Sequence, residues 1–173
     1  MSITMHRNTD SPLCHWKGRD VIAAIVRYRR THLRLLGSIG VPSARIFQKY
    51  GEPDELAGMI AEGAKDIFFQ NGKTVMTQTY LMMPENPESF MLLERVVLAF
   101  SEMRGQEEYL TVQDCWGDSF RYPFSAGQKQ VFKIQILLDK IESSAKECRI
   151  GHKPEDIAFA RAHTIPLVRT ARK

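Results

Sequence analysis

Asn86 to Gly105 reads NPESFMLLERVVLAFSEMRG. Its opening has the chemistry of a helix start. Asn86 can cap free amides, Pro87 suits the first helical position, and Glu88 puts an acid in the first turn. From Glu88 to Arg104 the residues Phe90, Met91, Leu92, Leu93, Val96, Val97, Leu98, Phe100 and Met103 are apolar on nearly every side, and Gly105 ends the run. This pattern predicts a central, buried helix around which the rest of the chain is arranged.

On the amino-terminal side of this stretch, Lys73–Met83 (KTVMTQTYLMM) is rich in Val, Thr and Tyr and reads as a strand, covered on both faces because neither is cleanly polar. On the carboxyl-terminal side, residues 108–124 read as two strands about a turn at Gly117-Asp118. Ser125 and Gln128 match a capping box and introduce a long helix, Gln128 to about Arg149, with Val131, Ile134, Leu138, Ile141, Ala145 and Cys148 on one stripe. A short helix over Glu155–His163 and a basic tail follow.

Before the strand lie three helical segments. Arg19 to Leu36 places Val21, Ile22, Ile25, Val26, Leu33, Leu35 and Leu36 on one broad face. Ala44–Tyr50 forms a second helix. A third begins at Pro53 and runs to Phe69, with Leu56, Met59, Ile60, Ala64, Ile67 and Phe68 in phase. The expected fold is therefore α+β: a helical amino-terminal subdomain followed by a small β-α-β-β-α core with a three-stranded sheet, covered by the Glu88 and Gln128 helices. The expected segments are an arm over 1–18, a helical subdomain over 19–72, the α+β core over 73–151, and a short helix with a basic tail over 152–173, all able to pack as one domain.

With 173 residues, 43% hydrophobic and 25% charged, the composition excludes collagen, a coiled-coil rod and global disorder. No apolar run approaches the ~18 residues of a membrane span. The opening residues lack the apolar core of a secretory signal, and three cysteines make a poor disulfide framework, so the cytoplasm is the expected location.

The net charge of +4 hides an asymmetry. Residues 1–50 hold nine Lys/Arg and two Asp/Glu, residues 51–100 three and eight, residues 101–150 seven and eight, and residues 151–173 five and two. Arg19, Arg27, Arg30 and Arg34 project within about 80° of one another, opposite the apolar face of the first helix, and Lys17 extends this ridge. Four like charges so spaced repel, and an anionic partner relieves the repulsion. The planar guanidinium fork suits phosphate. In the tail, Arg169, Arg172 and Lys173 follow the apolar Ile165–Val168. Arg29 and His32 fall inside the apolar arc, so Arg29 must reach past its neighbours or pair with a carboxylate from another segment, which would link this helix to the acidic third helix or to a partner.

The second and third helices have the lengths of a helix-turn-helix. Asp54, Glu55, Glu62 and Asp66 on the would-be reading helix would repel phosphate, so the first helix is the better contact. Cys14-His15 and Cys148-x-x-x-His152 would build a zinc site only if the arm reached the end of the long helix. Adjacent Cys and His do not match structural zinc spacing, so no metal is expected. Walker, GxGxxG, GxSxG and HExxH motifs are missing, and no cofactor is implied. Asp114-Cys115-Trp116-Gly117-Asp118 is the most site-like run, read as turn chemistry with Trp116 as an anchor.

These observations favour a cytoplasmic, nucleic-acid-binding accessory or regulatory protein. Its phosphate contacts would be Lys17, Arg19, Arg27, Arg30, Arg34, Arg169, Arg172 and Lys173. The alternative is a protein–protein adaptor or assembly subunit whose basic first helix docks an acidic partner. The stripe on the Gln128–Arg149 helix is available for self-association. A small enzyme with a scattered site ranks third.

Overall fold

The computed structural model describes residues 45–51, 53–124 and 128–167. The first helix with its arginine ridge, the arm, Cys14-His15 and the basic tail from Val168 onward lie outside the described residues.

The chain is a mixed α+β fold with two four-stranded sheets. Among the described residues two short helices come first, α1 (Arg45–Tyr50) and α2 (Pro53–Gly63). Strands β1 (Ile67–Gln70), β2 (Val75–Thr77), β3 (Tyr80–Met83) and β4 (Asn86–Leu92) form an antiparallel sheet in sequence order. A 3-10 turn, Leu93–Arg95, leads to β5 (Val96–Arg104), β6 (Glu107–Asp114) and β7 (Ser119–Phe124). Helix α3 (Gln128–Ser144), strand β8 (Arg149–Ile150) and helix α4 (Pro154–Ala162) complete the order. The second sheet runs β7-β6-β5-β8, with β8 parallel to β5.

The expected central helix over Glu88–Arg104 is therefore wrong. Its first half is β4, its second half is β5, and Leu93-Glu94-Arg95 is the corner between the two sheets. Successive side chains explain the all-round apolarity. Phe90 packs towards α1 and α2, whereas Met91 packs towards the second sheet. A strand buried on both faces has no polar side to give it a period of two. The expected three-stranded sheet becomes two sheets for the same reason.

Other boundaries shift as well. The third helix ends at Gly63, not Phe69, and Ile67–Gln70 pairs with β2 as a strand. Gly72 lies in the hairpin joining these two strands. Lys73–Met83 is two strands rather than one. The Thr77 hydroxyl accepts from the amides of Thr79 (3.2 Å) and Tyr80 (3.0 Å), which bends the chain back on itself. The long helix stops at Ser144, and Arg149–Ile150 joins β5. The hairpin about Gly117 and the short helix near residues 155–163 form as expected, the latter over Pro154–Ala162.

The layers follow from the strand alternation. One core lies between the sheets and under α3: Met76, Leu81 and Met91 from the first, Leu110, Val112 and Tyr122 from the second, and Ile134, Leu137, Leu138 and Ile141 from the helix. The stripe read as helical at Ile134, Leu138 and Ile141 is thus buried within the chain. The other face of the first sheet, with Val75, Tyr80, Met82 and Phe90, meets Ile46, Tyr50, Leu56 and Ile60 of α1 and α2. The outer face of the second sheet is covered by α4, with Ala160 against Val97 and Leu98. Met103, expected within the buried central helix, is instead 58% exposed, near the end of the β5–β6 hairpin.

Hydrogen bonds also tie the sheets together. The Tyr122 hydroxyl donates to the Ser89 carbonyl (2.7 Å), and Asn71 Nδ2 donates to the Pro123 carbonyl (3.1 Å). Pro123 is tolerated because β7 is an edge strand.

Candidate functional site

The turn between β6 and β7, Asp114-Cys115-Trp116-Gly117-Asp118, is where residues near both ends of the described chain meet. Asp114 ends the inward face of β6 that carries Leu110 and Val112, which buries its carboxylate completely. Asp114 Oδ1 accepts from the amides of Trp116 (3.0 Å) and Asp118 (2.9 Å), forming the turn. Gly117 takes φ +84, a conformation open to glycine, and the Thr164 methyl group would lie 3.3 Å from an added Cβ.

Helix α1 supplies the countercharge. The Lys49 side chain, 4% exposed, is ion-paired through its ammonium with both Asp114 and Asp118. Arg45 Nε donates to Asp118 Oδ2 (2.5 Å), and Arg45 Nη2 donates to the Trp116 carbonyl (3.1 Å). Burial pushes the Asp118 carboxyl up, but hydrogen bonds from Arg45 and Lys49 outweigh it and hold the group below its ordinary range. A buried charge pair of this kind is tolerated because each carboxylate has several donors.

Trp116 acts as the anchor. Its ring meets Tyr50 edge-on at 5.5 Å, with Lys49 at 5.5 Å and Arg95 at 5.8 Å from its centroid. Two more segments close on the turn. The Cys115 amide donates to the Arg95 carbonyl (2.8 Å), and the Ile165 amide donates to the Cys115 carbonyl (2.8 Å). Residues 164–165, past the end of α4, are thereby fixed beside the same turn that holds α1.

This cluster binds ions to one another rather than presenting a reactive group. Burial and the adjacent Asp114 carboxylate raise the Cys115 thiol, so it is no activated nucleophile. Burial likewise raises the Tyr50 hydroxyl, which accepts from the Leu92 amide at 3.4 Å.

A groove of about 650 Å³ opens between α2, the β2–β3 turn, the 3-10 turn and the end of α3. Met59, Leu92 and Leu93 supply its apolar part. Glu62, Asp66 and Glu94 stand along it, and no cation among the described residues lines it. Glu62 is paired with Lys65 at 2.5 Å. Glu94 lies 3.4 Å from Arg95. Asp66 has no ion pair among the described residues.

None of the eight sequence-predicted contact residues falls within the described residues. Of the pairs weighed as metal ligands, Cys148 and His152 are described and do not combine. The Cys148 thiol donates to the Arg149 carbonyl (3.5 Å) and is pushed up to about 12 by burial and the Glu142 carboxylate. His152 lies against Phe100, 4.2 Å between ring centroids. No group of three or more metal-ligating side chains occurs among the described residues. No described helix is long and apolar enough to cross a membrane.

Sequence reading found the turn and its Trp116 anchor but missed Arg45 and Lys49 as its partners. The only local signal was two cations on a short helix, and their carboxylates lie 65 to 73 residues away. No family model, no curated protein and no solved structure matches this chain.

Proposed function

We propose that the chain is a nucleic-acid-binding accessory or regulatory protein of the cytoplasm, in which two basic ends hold phosphate from a shared anchor. Residues 1–44 contain seven Lys/Arg and two Asp/Glu, and residues 168–173 contain three Lys/Arg and no acid. Residues 45–167 contain fourteen Lys/Arg and eighteen Asp/Glu. The positive charge is therefore concentrated at the two ends of an acidic body. The observation that carries the proposal is where those ends join it. Arg45 is bonded to Trp116 and Asp118, and Ile165 to Cys115, so the described residues that adjoin both basic segments are held at one five-residue turn.

Ends that share an origin can contact one duplex or one strand together, and the second contact is made at high local concentration. Contacts from Lys17, Arg19, Arg27, Arg30, Arg34, Arg169, Arg172 and Lys173 would be to phosphate, which gives affinity without much sequence preference. The test is fluorescence anisotropy of the full chain with labelled duplex DNA, single-stranded DNA and RNA over a salt series. Affinity should fall steeply with salt, and Arg27→Glu/Arg34→Glu should abolish it. Salt-insensitive binding, or none, rejects the proposal.

The competing reading, an adaptor whose basic first helix docks an acidic protein, is favoured by one observation: the body of the chain is itself acidic. Light scattering after nuclease treatment separates the two. An assembly that survives removal of nucleic acid supports the adaptor.

A further inference from the structure

We infer that the groove lined by Met59, Glu62, Asp66, Leu92, Leu93 and Glu94 receives residues 19–36 of the same chain, apolar face inward, with Arg29 meeting Asp66. This goes beyond the nucleic-acid reading and does not depend on it.

Charge complementarity is the first argument. The groove combines three carboxylates with an apolar part and has no cation in its lining among the described residues. Residues 19–36 combine an apolar arc with one arginine inside it. An arginine held within an apolar contact is stabilised by a carboxylate at its end, because an unpaired buried charge is unfavourable. Glu62 already has Lys65, and Glu94 has Arg95 near it. Asp66 has the unfilled position, at the end of α2 where its backbone carbonyl is held by the Gln78 amide (3.3 Å).

Chain length is the second argument. Eight residues, 37–44, separate Leu36 from α1. Extended, they reach roughly 28 Å. α1 and the groove share one apolar cluster, in which Ile46 and Tyr50 of α1 pack with Met59 and Leu92.

Orientation is the third. A helix lying with Val21, Ile22, Ile25 and Leu36 inward turns Arg19, Arg27, Arg30 and Arg34 outward, since the two sets project from opposite faces. The docking would thus convert a ridge on a terminal segment into a fixed cationic surface.

The experiment places the photo-cross-linker benzoylphenylalanine at Gln78, an exposed residue of the groove, in the full chain without nucleic acid. A control chain carries it at Met103. Illumination followed by peptide mapping should join Gln78, within one chain, to a peptide from residues 19–36, and should not join Met103 to it. Arg29→Glu should lower the Gln78 yield at least fivefold, and Asp66→Lys in that background should restore it. Circular dichroism of each variant checks that it is folded. Cross-links between two copies, to any other segment, or with equal yield from Met103 overturn the inference. So does a Gln78 yield that Arg29→Glu leaves unchanged. Because no nucleic acid is present, failure here leaves the phosphate-binding proposal standing, and loss of nucleic-acid binding leaves this one standing.

Discussion

The ammonium of Lys49 on α1 is ion-paired with the buried carboxylate of Asp114 at the end of β6, across 65 residues of sequence. This pair fastens the amino-terminal helices to the second sheet. Lys49→Met leaves Asp114 without its cation while Asp118 keeps Arg45. Breaking one side of a buried pair costs about 3–5 kcal/mol. Urea unfolding should show a loss of this size, and Lys49→Met/Asp114→Asn should cost less than the sum of the two single changes, because both charges leave together. Additive losses would mean that the pair is not coupled.

A second prediction concerns acid. Glu102 on β5 is held down to about 2, chiefly by the Thr111 hydroxyl donating at 2.6 Å, against burial that pushes the group up, and also by Arg121 Nε donating at 2.8 Å. A carboxyl lowered in the folded state adds stability above its unfolded value near 4.5, and that stability drains away as pH falls towards 2. Glu102→Gln should therefore destabilise the chain at pH 7 and much less at pH 2.5. Unfolding curves at the two pH values read the difference. An equal loss at both would assign Glu102 a packing role instead.

Glu108 behaves in the opposite sense. It is 5% exposed, its Oε2 has no hydrogen-bond partner among the described residues, and burial raises its carboxyl. A group raised in the folded state weakens the fold while it is charged and ceases to do so once protonated. Glu108→Gln should stabilise the protein modestly at pH 7, because a neutral amide replaces a carboxylate whose charge burial disfavours. The gain should shrink as the pH is lowered from 7 to 4.5, because a raised carboxyl takes up its proton above its ordinary value. Thermal melts at both pH values check this, and a loss at pH 7 would show that the carboxylate is needed.

What could be read from the sequence divides along physical lines. Features specified by neighbouring residues were legible: the Gly117 turn, the short carboxyl-terminal helix, and the stripe Ile134–Leu138–Ile141 that enters the core. The stretch Phe90–Phe100 was not, because Leu, Met, Glu and Arg favour helices when taken locally, whereas pairing of β4 with β3 and of β5 with β6 and β8 decides for strand. Its only clue was the Glu94-Arg95 interruption, which proved to be the corner between the sheets. The Lys49–Asp114 pair was invisible for a different reason: a contact 65 residues apart leaves no spacing to read.

The last prediction tests the two-ended arrangement around Trp116. Each duplex phosphate that the protein ceases to neutralise lowers the slope of log affinity against log salt by about 0.9. Removing residues 168–173 deletes Arg169, Arg172 and Lys173, so the slope should fall by up to ~2.7. Arg27→Glu/Arg34→Glu should abolish binding while Glu substitutions at Lys133 and Lys153, exposed on α3 and beside α4, change it little. If the ends act from one anchor, the deletion weakens binding to a site long enough for both ends and leaves binding to a very short site unchanged. Equal weakening at both lengths would mean that the tail contacts phosphate independently of the first helix, and an unchanged slope would remove the tail from the interface.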